Sequence, residues 1–154
     1  MNSSLSMGRE AMMMRDASDI ERSAALSGFV LSCVLAERKD RFLSFVQSKR
    51  GLTKWLGQLD HFQNYLDIER AIRVDIYADA EELIQKLKLK TQLPVFAFST
   101  LSEYRVGCVL SLQSALGDVF LIGNGAIICS ADQKNLFWFY LGEERSQQYF
   151  FRNN

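Results

Sequence analysis

Aromatic side chains crowd two short runs near the C-terminus, Leu136-Phe-Trp-Phe-Tyr-Leu141 and Gln148-Tyr-Phe-Phe151, joined by a polar link from Gly142 to Gln147. Runs this rich in aromatics, separated by a polar turn, read as two strands of a hairpin. Successive strand residues point to opposite sides, so such strands are oily on both faces and need cover on both. That requirement fixes the architecture more than the chemistry.

The cover has to come from the rest of the chain or from a partner. At 154 residues the chain fits one domain with a single substantial core. From Ser18 the pattern is helical. Ser18 and Glu21 have the spacing of a capping box, and Leu26, Phe29, Val30, Cys33 and Val34 form one apolar stripe. Phe42, Phe45 and Val46 resume the stripe after the charged cluster Glu37 to Arg41, and Gly51 is expected to end this helix. Leu52, Trp55, Leu56 and Leu59 mark a short second helix.

The pattern then changes. Ile72 to Tyr77 alternates as a strand, Asp79 and Glu82 open a helix with Leu83, Ile84 and Leu87 inward, and Leu93 to Phe98 follows as a strand. A strand, helix and strand in this order predict two parallel strands joined by a right-handed crossover. Ser111 caps a third helix carrying Leu112, Ala115, Leu116, Val119 and Phe120, and Ala126 to Cys129 precedes the aromatic hairpin. The expected fold is α/β with α+β character: N-terminal helices packed on a mixed sheet of about five strands, in the order β-α-β-α-β-β-β after the helical half. Residues 1–17, rich in Ser and Met, read as a disordered tail, and residues 18–154 as one domain.

Eighteen basic residues balance eighteen acidic ones, so no global field steers the chain toward nucleic acid or anionic lipid. The apolar run from Ala24 to Ala36 falls short of the roughly 20 residues a membrane span needs, and Glu10, Asp16, Asp19 and Glu21 argue against a secretory leader. Cys33, Cys108 and Cys129 are widely spaced in apolar runs, which suggests buried free thiols rather than a disulfide framework or a zinc site. The expected location is the cytoplasm.

From Leu93 to Phe151 the chain resembles a family of small bacterial proteins of unassigned function. The likeness rests on Phe98-Ser99, Leu112-Gln-Ser-Ala-Leu116, Ile127-Ile-Cys129 and the strand from Phe137 to Glu143. Two further stretches, from Arg41 to Leu56 and from Leu59 to Phe62, look similar to that family's N-terminal helices. The resemblance implies a cytoplasmic bacterial protein and no particular activity.

Chemical signatures are sparse. His61 is the single histidine, so a site needing two imidazoles is excluded. A dyad of His61 with Ser99 or Cys129 defines a small hydrolase-like alternative, although no Gly-x-Ser-x-Gly frame supports it. Cys108 and Cys129 read as packing residues. The carboxylates Asp75, Asp79, Glu103, Asp132, Glu143 and Glu144 show no metal-ligand spacing, and no residues suggest a cofactor. Gly123-Asn-Gly125 reads as a tight turn rather than a phosphate loop.

One charge asymmetry stands out. Arg38, Lys39, Arg41, Lys49, Arg50 and Lys54 face only Glu37 and Asp40, with Phe42, Phe45 and Trp55 interleaved. A nucleic-acid patch built on Arg38, Arg41, Lys49, Arg50 and Lys54 is therefore one alternative. Helical spacing instead makes the aromatics a buried stripe and the basic residues its solvated back.

The favoured expectation is a non-enzymatic association module forming a homo-oligomer, because surplus apolar area on the sheet needs a partner. Trp138, Tyr140, Tyr149 and Phe151 are its expected interface.

Overall fold

A computed structural model of the chain describes residues 15–75, 79–100, 107–122 and 125–152. Helix α1 (Asp19–Cys33) opens on the capping box expected of Ser18 and Glu21. The Ser18 hydroxyl accepts from the Glu21 N–H at 3.1 Å, and the Glu21 carboxylate accepts from the Ser18 N–H at 3.0 Å. Its buried side chains are Leu26, Phe29, Val30 and Cys33, the stripe read from the sequence. A 3-10 turn (Ala36–Arg38) leads into α2 (Lys39–Val46), and Ser48 caps α3 (Lys49–Leu56) through the Gly51 N–H at 2.9 Å.

Gly51 does not end a helix; it sits in the first turn of α3. A Cβ there would lie 3.2 Å from the Phe45 backbone, so its missing side chain lets α2 and α3 cross closely. Two 3-10 segments (Leu59–Tyr65 and Ile68–Arg70) complete the helical half.

Among the described residues the sheet has seven strands: β1 (Arg15–Asp16), β2 (Ile72–Arg73), β3 (Pro94–Ser99), β4 (Cys108–Ser111), β5 (Ala126–Ser130), β6 (Phe137–Leu141) and β7 (Gln148–Arg152). Their spatial order is β1-β4-β3-β5-β6-β7-β2, and every ladder is antiparallel. The expected mixed sheet of five strands is thus corrected in count and in pairing. Connecting β2 to β3 through α4 (Ala80–Lys86) leaves the two strands running in the same direction, as the crossover rule requires. They do not pair, because β5, β6 and β7 stand between them.

Two strands were not anticipated. Cys108 lies in β4, which is too short for alternation to announce it. Residues 15–17 belong to the fold rather than to a tail: β1 pairs with β4, and Ala17 is buried. Gly107, at φ 85°, turns the chain into β4 where a Cβ would collide with the ring of Phe98. Ser111 caps α5 (Leu112–Ile122) as expected, its hydroxyl accepting from the Ser114 N–H at 3.2 Å. Residues 76–78, Glu103 and Gly123-Asn124 lie outside the described residues. Gly125 has φ 83°, the conformation expected of the tight turn.

Strand alternation sorts the sheet into two oily faces. Phe98, Ile127, Cys129, Trp138, Tyr140 and Phe151 pack against α1, α2, α3 and the Leu59–Tyr65 segment. Val95, Ala97, Ile128, Phe137, Phe139 and Phe150 pack against α4 and α5. The result is three layers, helices on either side of an antiparallel sheet.

Candidate functional site

The cover demanded by the aromatic strands comes from within the chain. Trp138, Tyr140 and Phe151 are 4%, 0% and 3% exposed. Tyr149 is half-buried against the same core. The expected interface is corrected on this ground: these side chains are core, and the helical half is long enough to hide them. Among the described residues the large apolar side chains left exposed are Ile20, Leu31, Ile68 and Ile72.

The members of the dyad alternative sit in different surroundings. His61 is exposed at a kink in the Leu59–Tyr65 segment. Cys129 is buried below that segment, and burial pushes its thiol well above the ordinary range. Strand parity puts Ser99 on the opposite sheet face, with Val95 and Ala97.

The carboxylates disperse. Asp79 caps α4, accepting from the Glu81 N–H at 2.9 Å. Asp75 accepts from the Arg145 guanidinium at 3.1 Å, while Glu143 and Glu144 are exposed in the β6–β7 turn. Among the described residues no group of three or more His, Cys, Asp or Glu could hold a metal ion.

What the structure does bring together is the basic and aromatic side chains of α2, α3 and the Leu59–Tyr65 segment. Phe42 and Phe62 meet edge to face at 4.8 Å, and Trp55 lies 5.4 Å from each. Tyr65 closes the cluster 5.3 Å from Phe42. Helical spacing dictates this arrangement. Leu52, Trp55 and Leu56 recur at i, i+3 and i+4 and turn inward, leaving Lys49, Arg50 and Lys54 exposed. Phe42 and Val46 do the same in α2, and Arg41 stays outside.

Between these aromatics lies a cavity of about 60 Å³, walled by Phe42, Phe45, Trp55, Phe62 and Tyr65 and edged by Arg41, Lys54 and Gln58. Arg41 lies 5.7 Å from the centre of the Phe45 ring, and Arg38 lies 5.7 Å from that of Tyr65. No ion pair among the described residues engages Arg38, Arg41, Lys49, Arg50 or Lys54. Trp55 is 3% exposed, yet its indole N–H has no acceptor among the described residues. A buried donor left unpaired costs roughly 1–3 kcal/mol.

Of the five basic residues in the nucleic-acid alternative, Arg41 and Lys54 edge this cavity and Arg38 lies over the ring of Tyr65. Lys49 and Arg50 are exposed at the start of α3. Gln58 and Tyr65 were missed in the sequence. Their signal was the spacing Gln58, Phe62, Tyr65, which continues one helical face through a segment that is 3-10.

A larger cleft of about 540 Å³ lies between β2 and α4, lined by Ile72, Asp75, Asp79, Glu82, Leu83 and Lys86 among others. Its walls mix both charges without convergence, and residues 76–78 between Asp75 and Asp79 lie outside the described residues. No helix among the described residues is long and apolar enough to cross a membrane. No known protein family, curated protein or solved structure matches the chain.

Proposed function

We propose that the protein is a non-enzymatic partner-binding module whose docking face is the basic, aromatic-lined surface of α2, α3 and the Leu59–Tyr65 segment, and whose partner is an acidic segment of another protein. The observation that carries this reading is the gathering of Arg41 and Lys54, neither in an ion pair among the described residues, at the edge of a cavity walled by Phe42, Phe45, Trp55, Phe62 and Tyr65.

Local electrostatics support it. The chain is balanced in charge overall, so the excess around Arg38 to Lys54 is a polarised face. Helix α3 begins with Lys49 and Arg50 and has no acidic residue in its first turn. Cations there oppose the helix dipole, and a sequence that breaks a local rule does so most often at a functional surface. Nucleic acid is the weaker reading of the same face. Its binders offer exposed aromatic faces for base stacking, whereas Phe42, Trp55 and Phe62 are at most 4% exposed.

Self-association through the aromatic hairpin is not retained, since Trp138, Tyr140 and Phe151 are buried in one chain. The cytoplasm is the compartment we assign, supported by Cys33 and Cys129, two free thiols buried in the core.

Calorimetry with a capped peptide of alternating Glu and Gly tests the proposal, with a single-stranded oligonucleotide for comparison. The expected result is peptide binding that weakens with salt and is lost in an Arg41→Met, Lys54→Met variant. Tighter binding of the oligonucleotide, or no binding of the peptide, would overturn it.

A further inference from the structure

We infer that the outward face of α1 pairs with the same face of a second copy of this chain, the two helices running antiparallel across a two-fold axis. This surface is separate from the face proposed for the acidic segment, and the inference does not rest on that reading.

The inward stripe of α1 accounts for Leu26, Phe29, Val30 and Cys33. A surface helix normally meets solvent with charged residues on its opposite side. Here no residue between Arg22 and Glu37 carries a charge. The outward side instead presents Ile20, Ala24, Ser27 and Leu31, with Ile20 83% and Leu31 54% exposed. At 3.6 residues per turn these fall within about 60° of one another. Single exposed apolar side chains are ordinary on a surface. Two aligned on one uncharged stripe are not. Ile68 adds a third at the end of the helix. The Asp67 N–H donates to the Cys33 carbonyl at 2.8 Å, which brings Ile68, 48% exposed, to that end.

The spacing selects the partner. Ile20, Ala24, Ser27 and Leu31 are separated by four, three and four residues, the seam of a coiled coil. Their order of large, small, small, large is the same in both directions. An antiparallel copy therefore sets Ile20 against the partner's Leu31 and Ala24 against the partner's Ser27, each contact occurring twice. Small residues then lie at the centre, where the axes come closest. A two-fold contact demands such self-complementarity. An unrelated partner does not.

Charge favours the same arrangement. The first turn of α1 carries Asp19 and Glu21, and Asp19 keeps 94% of its side chain exposed beside Arg22. At the other end, the charged side chains whose field reaches Cys33 are Arg70 and Lys39, both basic. Antiparallel pairing brings each acidic end toward the partner's basic end. It also keeps the two Asp19 carboxylates about 20 Å apart at 1.5 Å per residue, whereas a parallel pair would bring them together. With 15 residues in α1, the seam is about 22 Å long and falls short of the roughly 800 Å² per partner of a standard interface. The pairing is therefore reversible and grows with concentration.

Sedimentation velocity on the full chain tests this from low micromolar to submillimolar concentration, with Ile20→Lys, Leu31→Glu and the double variant. Both side chains are exposed, so neither change enters the core, and the urea midpoint of each variant checks its fold. The native chain is expected to shift from monomer to dimer. Each single substitution should weaken the dimer at least about tenfold. The double variant sets a lysine against a glutamate in both halves of the seam and should recover several-fold of that loss.

A native chain that stays monomeric throughout would overturn the pairing and leave the stripe to a different protein. Single variants that dimerise as well as the native chain would move the contact off α1 and overturn it equally. Single variants that dissociate, with no recovery in the double variant, would overturn the antiparallel register.

Discussion

The hydroxyl of Tyr140, on the interior strand β6, donates a hydrogen bond to the carbonyl oxygen of Leu59, 81 residues away in the chain. The same hydroxyl lies 3.2 Å from Oε1 of Gln63. It therefore pins the Leu59–Tyr65 segment to the sheet, and that segment carries Phe62 and Tyr65 of the proposed site. Both Tyr140 and Leu59 are fully buried. Tyr140→Phe keeps the ring and leaves the Leu59 carbonyl without this donor, a loss of roughly 1–3 kcal/mol. A lower urea midpoint at unchanged slope is the expected result. An unchanged midpoint would show that the contact contributes nothing.

Acid should weaken the N-terminal corner in a defined window. The Arg15 guanidinium donates to both Glu21 carboxylate oxygens at 2.7 Å, and the Ser18 N–H adds a third donor at 3.0 Å. Together they hold the Glu21 carboxyl down to about 2, against an ordinary 4.5. A depressed folded value means that the contribution is present above pH 4.5 and is lost as pH falls toward 2. Glu21→Gln should flatten the pH dependence of the melting temperature across that window. A carboxyl titration of Glu21 by nuclear magnetic resonance with its midpoint near the ordinary value would contradict the pairing.

Much of the fold was legible because its signals are local. The capping box of Ser18 and Glu21, the stripe from Leu26 to Val34 and the aromatic hairpin are each set by residues within a few positions of one another. Strand pairing is set at long range and was misread. Direction was right for the strands at Ile72 and Pro94, yet adjacency depended on where the later hairpins inserted. The candidate site divides in the same way. Arg41, Lys54 and Trp55 were visible as a basic and aromatic segment, but nothing local shows that the indole N–H is left without an acceptor. Helical spacing told correctly that Phe42 and Trp55 are buried. The error at Trp138 and Tyr149 was one of accounting: the sheet's apolar area was compared with what solvent tolerates rather than with the stripe that α1, α2 and α3 offer.

The thiols should be inert in the native protein. Burial pushes the Cys33 thiol up, and nearby Cys129 raises it further, while burial alone raises Cys129. Cys108 is buried in β4. A thiolate is the reactive form, so Ellman's reagent at pH 8 is expected to label none of the three in the folded chain and all three in guanidinium. Rapid labelling of Cys129 under native conditions would revive a nucleophilic role for it.

Binding and stability should trade against each other at the start of α3. Lys49 and Arg50 occupy its first turn, where the helix dipole favours the opposite charge, and Ser48 is the cap that offsets them. If the two side chains served the fold, reversing them would weaken it. If they serve a partner, reversal relieves a conflict between the dipole and the side-chain charges. Each acidic residue placed in that turn is worth about 0.3–1 kcal/mol, so Lys49→Glu with Arg50→Glu is expected to raise the unfolding free energy by about 1 kcal/mol. The same variant should bind the Glu-Gly peptide several-fold more weakly, because it removes positive charge from the exposed start of α3 and adds charges of the peptide's own sign. Denaturant melts and calorimetry on one preparation separate the two effects. A variant that is less stable and binds as well as the native chain would assign these charges to folding instead.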